Sequence, residues 1–381
     1  MTSGPLAAIN AIDQIECGKD AAKHFSFDAA YRNLNHGSFG TFPKEITSTL
    51  RHHQDACEAR PDHFIRYEYK RLNDECRSAI AQLINAPVDT CVFVPNATTG
   101  INTILRNLVY EPGDVIIYFA TIYGSCHKTI QYLTETTPLE AAKVEYTYPC
   151  SDAALLASFE KVITSIKAAG KRPVAAMFDT IVSMPGVRVP FEALTAICRQ
   201  NNIYSILDAA HCVGQIPIDL TTLDPDFFVS NCHKWLHVPR GCAVLYVPLR
   251  NQGLMRSTLP TSHGFVPRGE DALVSPLPPT TKSEFVNNFE FVGTVDNAPQ
   301  LCVPAALAWR SKIVWKDLKG EEAVMAYGVE LARRGGDVVA EALGTEVLEN
   351  GEGTLRGCAF ANVKLPVELG GDAGENVKVA Q

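Results

Sequence analysis

Lys234 lies in Ser230-Asn231-Cys232-His233-Lys234-Trp235, a short polar crossing between two apolar runs rich in Val and Phe. An ammonium group is strongly hydrated and is poorly tolerated near a core unless it is paired, deprotonated or used covalently. The residues alone leave two readings: a solvated hairpin lysine, or an amine that forms a Schiff base with a carbonyl. Asp208 raises a similar question, because it closes the apolar run YSIL and is followed three positions on by His211. A carboxylate at the end of a buried strand is costly to desolvate unless it meets a positive partner, either an arginine or a protonated ring nitrogen. A third stretch, Pro95-Asn96-Ala97-Thr98-Thr99-Gly100, follows CVFV and opens a helical pattern. Small and hydroxyl residues at a helix start serve as a plain N-cap or as an anion cradle of free amides.

The elements that would position these groups are legible in outline. Between residues 90 and 250 short apolar runs alternate with helical patterns: CVFV (91–94), DVIIYF (114–119), VAAMFD (174–179), YSILD (204–208), DFFVS (226–230) and CAVLYV (242–247). Strands buried on both faces and separated by helices predict an α/β fold with a largely parallel sheet, whose ligand crevice lies beyond the carboxyl ends of the strands. Leu155, Phe159, Val162, Ile163 and Ile166 share one helical face, as do Leu72, Cys76, Ile80, Leu83 and Ile84. The predicted organisation is an N-terminal arm (1–30), a large domain (31–295) and a connection with an incomplete small C-terminal domain (296–381). Within these, 251–295 reads as a long loop and 296–343 as helical. In that frame the three candidate groups stand at neighbouring strand ends. An amine for an aldehyde, an anion for a ring nitrogen and a cradle for a phosphate are the parts that hold pyridoxal 5'-phosphate.

Composition narrows the partners. The chain has 381 residues, 46% of them hydrophobic, with a formal net charge of -8. That balance argues against nucleic acid as the main partner, because such binding needs a basic surface. No apolar run approaches the roughly 20 residues that span a bilayer, and the first twenty residues lack a secretory pattern, so the expected compartment is the cytosol. Twelve cysteines are scattered without a CxxC pair, which argues against a zinc site or a disulfide framework.

The order ATTG, DAAHxxG and SNCHKW with PRG behind it resembles the class V aminotransferase family of pyridoxal-phosphate enzymes of fold type I, from about Leu34 to about residue 312. LNHGSFGTFP, ARPDHFIR and SNCHKWLHVPRG resemble the isopenicillin-N-epimerase-like branch, and within it the fungal hercynylcysteine sulfoxide lyases of ergothioneine biosynthesis. The resemblance implies that Lys234 carries the cofactor, Asp208 pairs its ring nitrogen and His211 faces its ring hydroxyl. Ala97, Thr98 and His233 would bind its phosphate. Tyr123 would stack on the ring, with His127 as the alternative. Gly293-Thr294 is similar to a loop that reaches the neighbouring subunit's phosphate, which implies a homodimer with shared sites. Asn35, His36 and Gly37 would border an amino-acid substrate, and Arg60 or Arg66 would meet its carboxylate. Each also has a structural reading: packing for Tyr123, a turn for Thr294, a cap for His36, solvation for the two arginines.

The chain departs from the family's pattern at its end. Members carry a C-terminal arginine that clamps the substrate carboxylate, and here only Arg356 lies nearby, in the wrong context. The expectation is therefore a shortened chain whose substrate grip is in question. The chemistry implied is α-proton abstraction followed by β-elimination of a sulfur group from a cysteine-conjugate sulfoxide, with Cys126 or Cys150 as candidate proton donors. Epimerisation, cysteine desulfuration and a catalytically weak, truncated member of the family are the alternatives.

Overall fold

A computed structural model describes residues 5–269, 277–278 and 280–367. The seven strands of the main sheet are β1 (Cys91–Val94), β2 (Asp114–Phe119), β3 (Glu140–Val144), β4 (Arg172–Asp179), β5 (Tyr204–Asp208), β6 (Phe227–Asn231) and β7 (Ala243–Tyr246). They lie in the order β1-β7-β6-β5-β4-β2-β3, and β7 alone runs against its neighbours. The period-2 alternation divides each strand between two cores. Val92, Val94, Ile206, Val229 and Leu245 point into one, Cys91, Phe93, Leu207, Phe228 and Val244 into the other.

Helices cover both faces: α1 (Lys44–Ala59), α2 (Tyr69–Leu83), α3 (Ala97–Asn107), α4 (Gly124–Thr136), α5 (Asp152–Ala168), α6 (Phe191–Asn201), the single turn α7 (Cys232–Trp235), α8 (Val303–Arg310) and α9 (Gly320–Leu343). Ile101, Ile104 and Leu105 of α3 and Ile130 and Leu133 of α4 fill one core, while α2, α5 and α6 fill the other. The largely parallel sheet is as expected. No helix among the described residues is long and apolar enough to cross a membrane.

Three readings change. Strand β3 was not foreseen; it pairs only with β2, and Glu140, Ala141 and Lys143 are exposed, so it carries no apolar run. The stretch 296–343 is not one helical block, because Ile313–Trp315 and Leu318–Lys319 form two short strands between α8 and α9. Ile15–Glu16 of the arm adds to them in parallel, with Ile15 opposite Ile313. Pairings of two or three residues have no periodicity to read. The 251–295 loop contains a helix, Glu284–Glu290, capped by Ser283, whose side chain accepts from the Val286 N–H.

After α9 the chain returns toward the sheet. Val347 bridges Val363, and Leu348 N–H donates to Asn362 O at 2.8 Å. The Gly-rich end at 368–381 lies outside the described residues.

Candidate active site

The parallel strands β4, β5 and β6 end at Asp179, Asp208 and Asn231. Register places Asp179 opposite Asp208. One residue past β6 the chain makes the single turn α7, which carries Lys234. Four residues cannot satisfy their own terminal carbonyls. Those of α7 are met by side chains from distant segments: His36 Nε2–H donates to Lys234 O at 2.8 Å, and Arg310 Nη1 donates to Trp235 O at 2.7 Å. Gly40, at φ +64°, passes so close that a Cβ there would sit 1.7 Å from His233 O, so only glycine fits. At the other end Asn231 Oδ1 accepts the Ala97 N–H at 2.9 Å, tying α3 to the lysine turn.

Lys234 is half-buried, with its Nζ 3.1 Å from His211 Nε2. Burial lowers the lysine's pKa, against the opposing pull of Asp208 and Asp179. His211 is buried and pushed down to about 3, by burial and by the neighbouring lysine charge. Its Nδ1 accepts from Trp235 Nε1 at 3.1 Å, and its carbonyl accepts from Gln215 Nε2 at 2.7 Å. Asp208 Oδ2 accepts the Cys126 thiol at 3.3 Å and Oδ1 accepts the Ala210 N–H at 3.1 Å. Burial nevertheless raises its carboxyl above the usual range, and burial beside Asp208 raises Asp179 further. Two adjacent buried carboxyls of this kind favour a cationic partner.

The α3 cradle divides its work. Asn96 is the N-cap, accepting from the Thr99 N–H at 2.8 Å, and its carbonyl takes the Gly100 N–H. The Ala97 amide is committed to Asn231, so among the described residues the first-turn N–H without a protein acceptor is that of Thr98. His233 Nδ1–H donates to Cys242 O at 3.0 Å, which leaves Nε2 facing outward from that bond.

Tyr123 stands exposed at the turn into α4, whereas His127 stacks on Tyr118 with ring centroids 5.0 Å apart. Of the two rings, that of Tyr123 is the more exposed. Asn35 and His36 cap and begin the short helix lying on α7. Thr294 is exposed in the loop after Glu284–Glu290; its neighbours Val292 and Val295 share with Pro95 and Thr99 a cavity of about 110 Å³. Arg60 is exposed at the end of α1, and Arg66 donates to Asp62 at 2.7 Å on the surface. Arg356 reaches α9, donating to Arg333 O at 2.6 Å and to Asp337 Oδ1 at 2.7 Å. Cys150 is half-buried, and its carbonyl accepts from Asn350 Nδ2.

Some residues of the site were not assigned a role from sequence. Asp179 ended an apolar run as Asp208 did, so the same signal was available for it. Phe360 and Asn362 had none. The Phe360 ring lies 5.3 Å from that of His211 and 5.4 Å from that of Trp235. Asn362 exchanges hydrogen bonds with both backbone groups of Gly186, at 3.1 and 2.8 Å. The Ala359 N–H donates to Gln215 Oε1 at 2.7 Å, completing a bridge from the C-terminal segment to the His211 loop.

A family model, "Aminotransferase class-V", matches residues 43–269, more than half of the chain. The chain belongs to the class V aminotransferase family. Like that family it is a pyridoxal-phosphate-dependent enzyme of fold type I. It is 40% identical to an L-cysteine desulfhydrase-like protein of Epichloe uncinata over 368 residues, 93% of this chain and 80% of the relative. It is 29% identical to the hercynylcysteine sulfoxide lyase of Schizosaccharomyces pombe, over 92% of this chain and 84% of the relative. Among solved structures, its fold is similar to the apo cysteine desulfurase of Thermococcus onnurineus, with a TM-score of 0.66 and 17% identity over 91% of this chain and 80% of that one.

The residues fit the family's cofactor. The buried carboxyl pair matches a ring N–H, the half-buried amine of Lys234 an aldehyde, and the free Thr98 amide at the start of α3 a phosphate.

Proposed function

We propose that this enzyme is a C–S lyase, which removes the α-proton of a cysteine-derived amino acid and expels the sulfur substituent from the β-carbon. One observation carries the reading. The amine of Lys234 is positioned to move a proton, whereas nine of the twelve cysteines are buried, and the three half-buried ones, Cys17, Cys57 and Cys150, have thiols raised in pKa by desolvation, which disfavours the thiolate. Desulfuration requires an exposed thiolate to attack sulfur; elimination requires only a base and a leaving group.

When bound, pyridoxal phosphate supplies the electron sink that makes the α-proton acidic. Lys234 would hold its aldehyde carbon, Asp208 its ring nitrogen, His211 its ring hydroxyl, Tyr123 its face, and Ala97, Thr98 and His233 its phosphate. Asp179 lies beside Asp208 on the neighbouring strand. Lys234, as a free amine, would accept the α-proton and could return it to the departing sulfur. Cys126 gives its thiol proton to Asp208 rather than to the substrate side, so its role is to orient that carboxylate. Asn35 and His36 border the opening, and Arg60 or Arg66 would meet the substrate carboxylate.

The substrate we assign is a cysteine conjugate oxidised at sulfur, of the hercynylcysteine sulfoxide type used in ergothioneine biosynthesis. The relative named as that lyase supports this assignment. Elimination from such a sulfoxide breaks one C–S bond, releases a sulfenic acid, and leaves an enamine that hydrolyses to pyruvate and ammonia. The working unit is a cytosolic homodimer, with the Thr294 loop reaching the neighbouring site. The exposed apolar side chains Leu34, Phe39, Tyr123 and Met184, on segments that frame the site, support such an interface.

The test is to supply purified holoenzyme with L-cysteine or an S-alkyl-L-cysteine sulfoxide and assay pyruvate. Pyruvate released faster from the sulfoxide is the expected result. Pyruvate and sulfide from cysteine alone would overturn the sulfoxide assignment, and epimerised substrate without pyruvate would overturn the lyase.

A further inference from the structure

Trp235 follows the Schiff-base lysine directly, and its indole does more than pack. An indole N–H can only donate. Its acceptor is His211 Nδ1, at 3.1 Å, so that nitrogen carries no proton. His211 is buried and stays neutral through the physiological range, so its one proton sits on Nε2. That Nε2–H faces Lys234 Nζ at 3.1 Å. An N–H set against an ammonium would place donor against donor. The contact is satisfied only when the lysine amine has lost its proton and offers its lone pair.

The geometry points to Trp235 as a positioning residue, one that locks His211 in the Nε2–H tautomer and thereby holds the free Lys234 amine unprotonated and nucleophilic. The indole is itself immobilised. Its carbonyl accepts from Arg310, its ring meets Phe360 edge-on at 5.4 Å and His36 at 5.5 Å, and a Cβ added to Gly37 would come within 2.9 Å of it. His211 cannot easily turn away, since Gln215 holds its carbonyl and Phe360 lies 5.3 Å from its ring. The groups facing Lys234 are the neutral His211, in hydrogen-bond contact, and the carboxyls of Asp208 and Asp179. The two carboxyls draw a proton onto the amine, and burial opposes them. In that balance a single hydrogen bond decides how much free amine is present.

The same amine must be unprotonated twice, once to capture the cofactor and again to take the substrate's α-proton. The inference rests on the family's use of Lys234 and holds whichever group leaves the β-carbon. Without the indole N–H, His211 can adopt the opposite tautomer and accept from a protonated Lys234, which stabilises the ammonium.

The test uses the full chain freed of cofactor by hydroxylamine, with Schiff-base formation from added pyridoxal phosphate followed by absorbance across a pH series. For Trp235→Phe the midpoint moves to higher pH, and capture at pH 7 slows by about three- to tenfold, the effect of one hydrogen bond. In a His211→Gln background the same substitution leaves the midpoint where it was, because the residue through which Trp235 acts is gone. An unchanged midpoint in Trp235→Phe overturns the proposal, and so does an equal shift in both backgrounds. Should Trp235→Phe fail to fold, ¹⁵N chemical shifts of His211 in the unaltered chain decide the matter: a protonated Nε2 with a bare Nδ1 supports it, and a protonated Nδ1 at neutral pH contradicts it.

Discussion

Two buried charged clusters lie within one turn of helix of each other, on opposite sides of Trp235, and they are built on opposite terms. Behind the indole, Arg310 is fully buried, and all five of its N–H groups are matched: Glu321 takes two at 2.6 Å, and Trp235 O, Gly214 O and His237 Nδ1 take the others. In front of it, Lys234 meets one neutral histidine, and two carboxyls crowd together with raised pKa values. The first cluster is electrostatically complete and therefore inert; it holds the last carbonyl of α7 in place. The second is incomplete, which is why its proton affinities are displaced and why it has capacity left for a cofactor and a substrate. A buried charge alone does not mark a site. Its unmet demand does.

Substitutions should separate the two. The largest effect falls on Lys234→Ala, which should abolish covalent cofactor capture and reduce turnover by about a thousandfold or more, while thermal unfolding stays close to that of the parent chain. Arg310→Ala should do the reverse. It strands Glu321 and two carbonyls, and denaturant unfolding should show a loss of about 3–5 kcal/mol. A soluble, stable Arg310→Ala protein would break the contrast. Asp208→Asn keeps the shape of the floor but not its charge, so kcat/KM should fall by about a hundredfold with little change in stability.

Smaller effects test the edges of the active cluster. Asn362→Ala removes both bonds to Gly186 and should cost about 1–2 kcal/mol, read as a lower denaturation midpoint, with Phe360 freed to move against His211. The pH dependence is subtler. In the unfolded chain His211 titrates near the ordinary imidazole value of about 6.5, whereas the folded site refuses the proton until about 3. Its contribution to stability is therefore complete above 6.5 and is lost as pH falls through 3. Asp179 and Asp208, with raised values, work in the opposite sense. The specific expectation is that His211→Gln flattens the fall in melting temperature between pH 7 and pH 4. An unchanged slope would mean that His211 is not buried as a neutral ring.

The same contrast explains what could be read in advance. Asp208 and Lys234 were legible because each closes or follows a continuous apolar run, and a polar group at the end of a doubly buried strand is conspicuous in one dimension. Strand β3 was not, since its exposed edge carries Glu140 and Lys143 in place of an apolar pattern. Asp179 acquires its meaning from register with Asp208 across two strands. The C-terminal bridge could not be seen at all: Asn362 and Gly186 are 176 residues apart, and no local periodicity encodes a contact over that separation. Arg310 was hidden for a related reason. Its four partner residues come from three segments, around Gly214, Trp235 and Glu321, and its surroundings in the chain are those of an ordinary helix end.

The central claim is that the incomplete cluster carries the cofactor on Lys234. Borohydride reduction of the holoenzyme, followed by proteolysis and mass spectrometry, reads this directly. A reduced pyridoxyl-phosphate adduct on the peptide containing Lys234, absent from Lys234→Ala, is the outcome this account requires. An adduct on another lysine, or none at all from a protein that retains its visible colour, would contradict it.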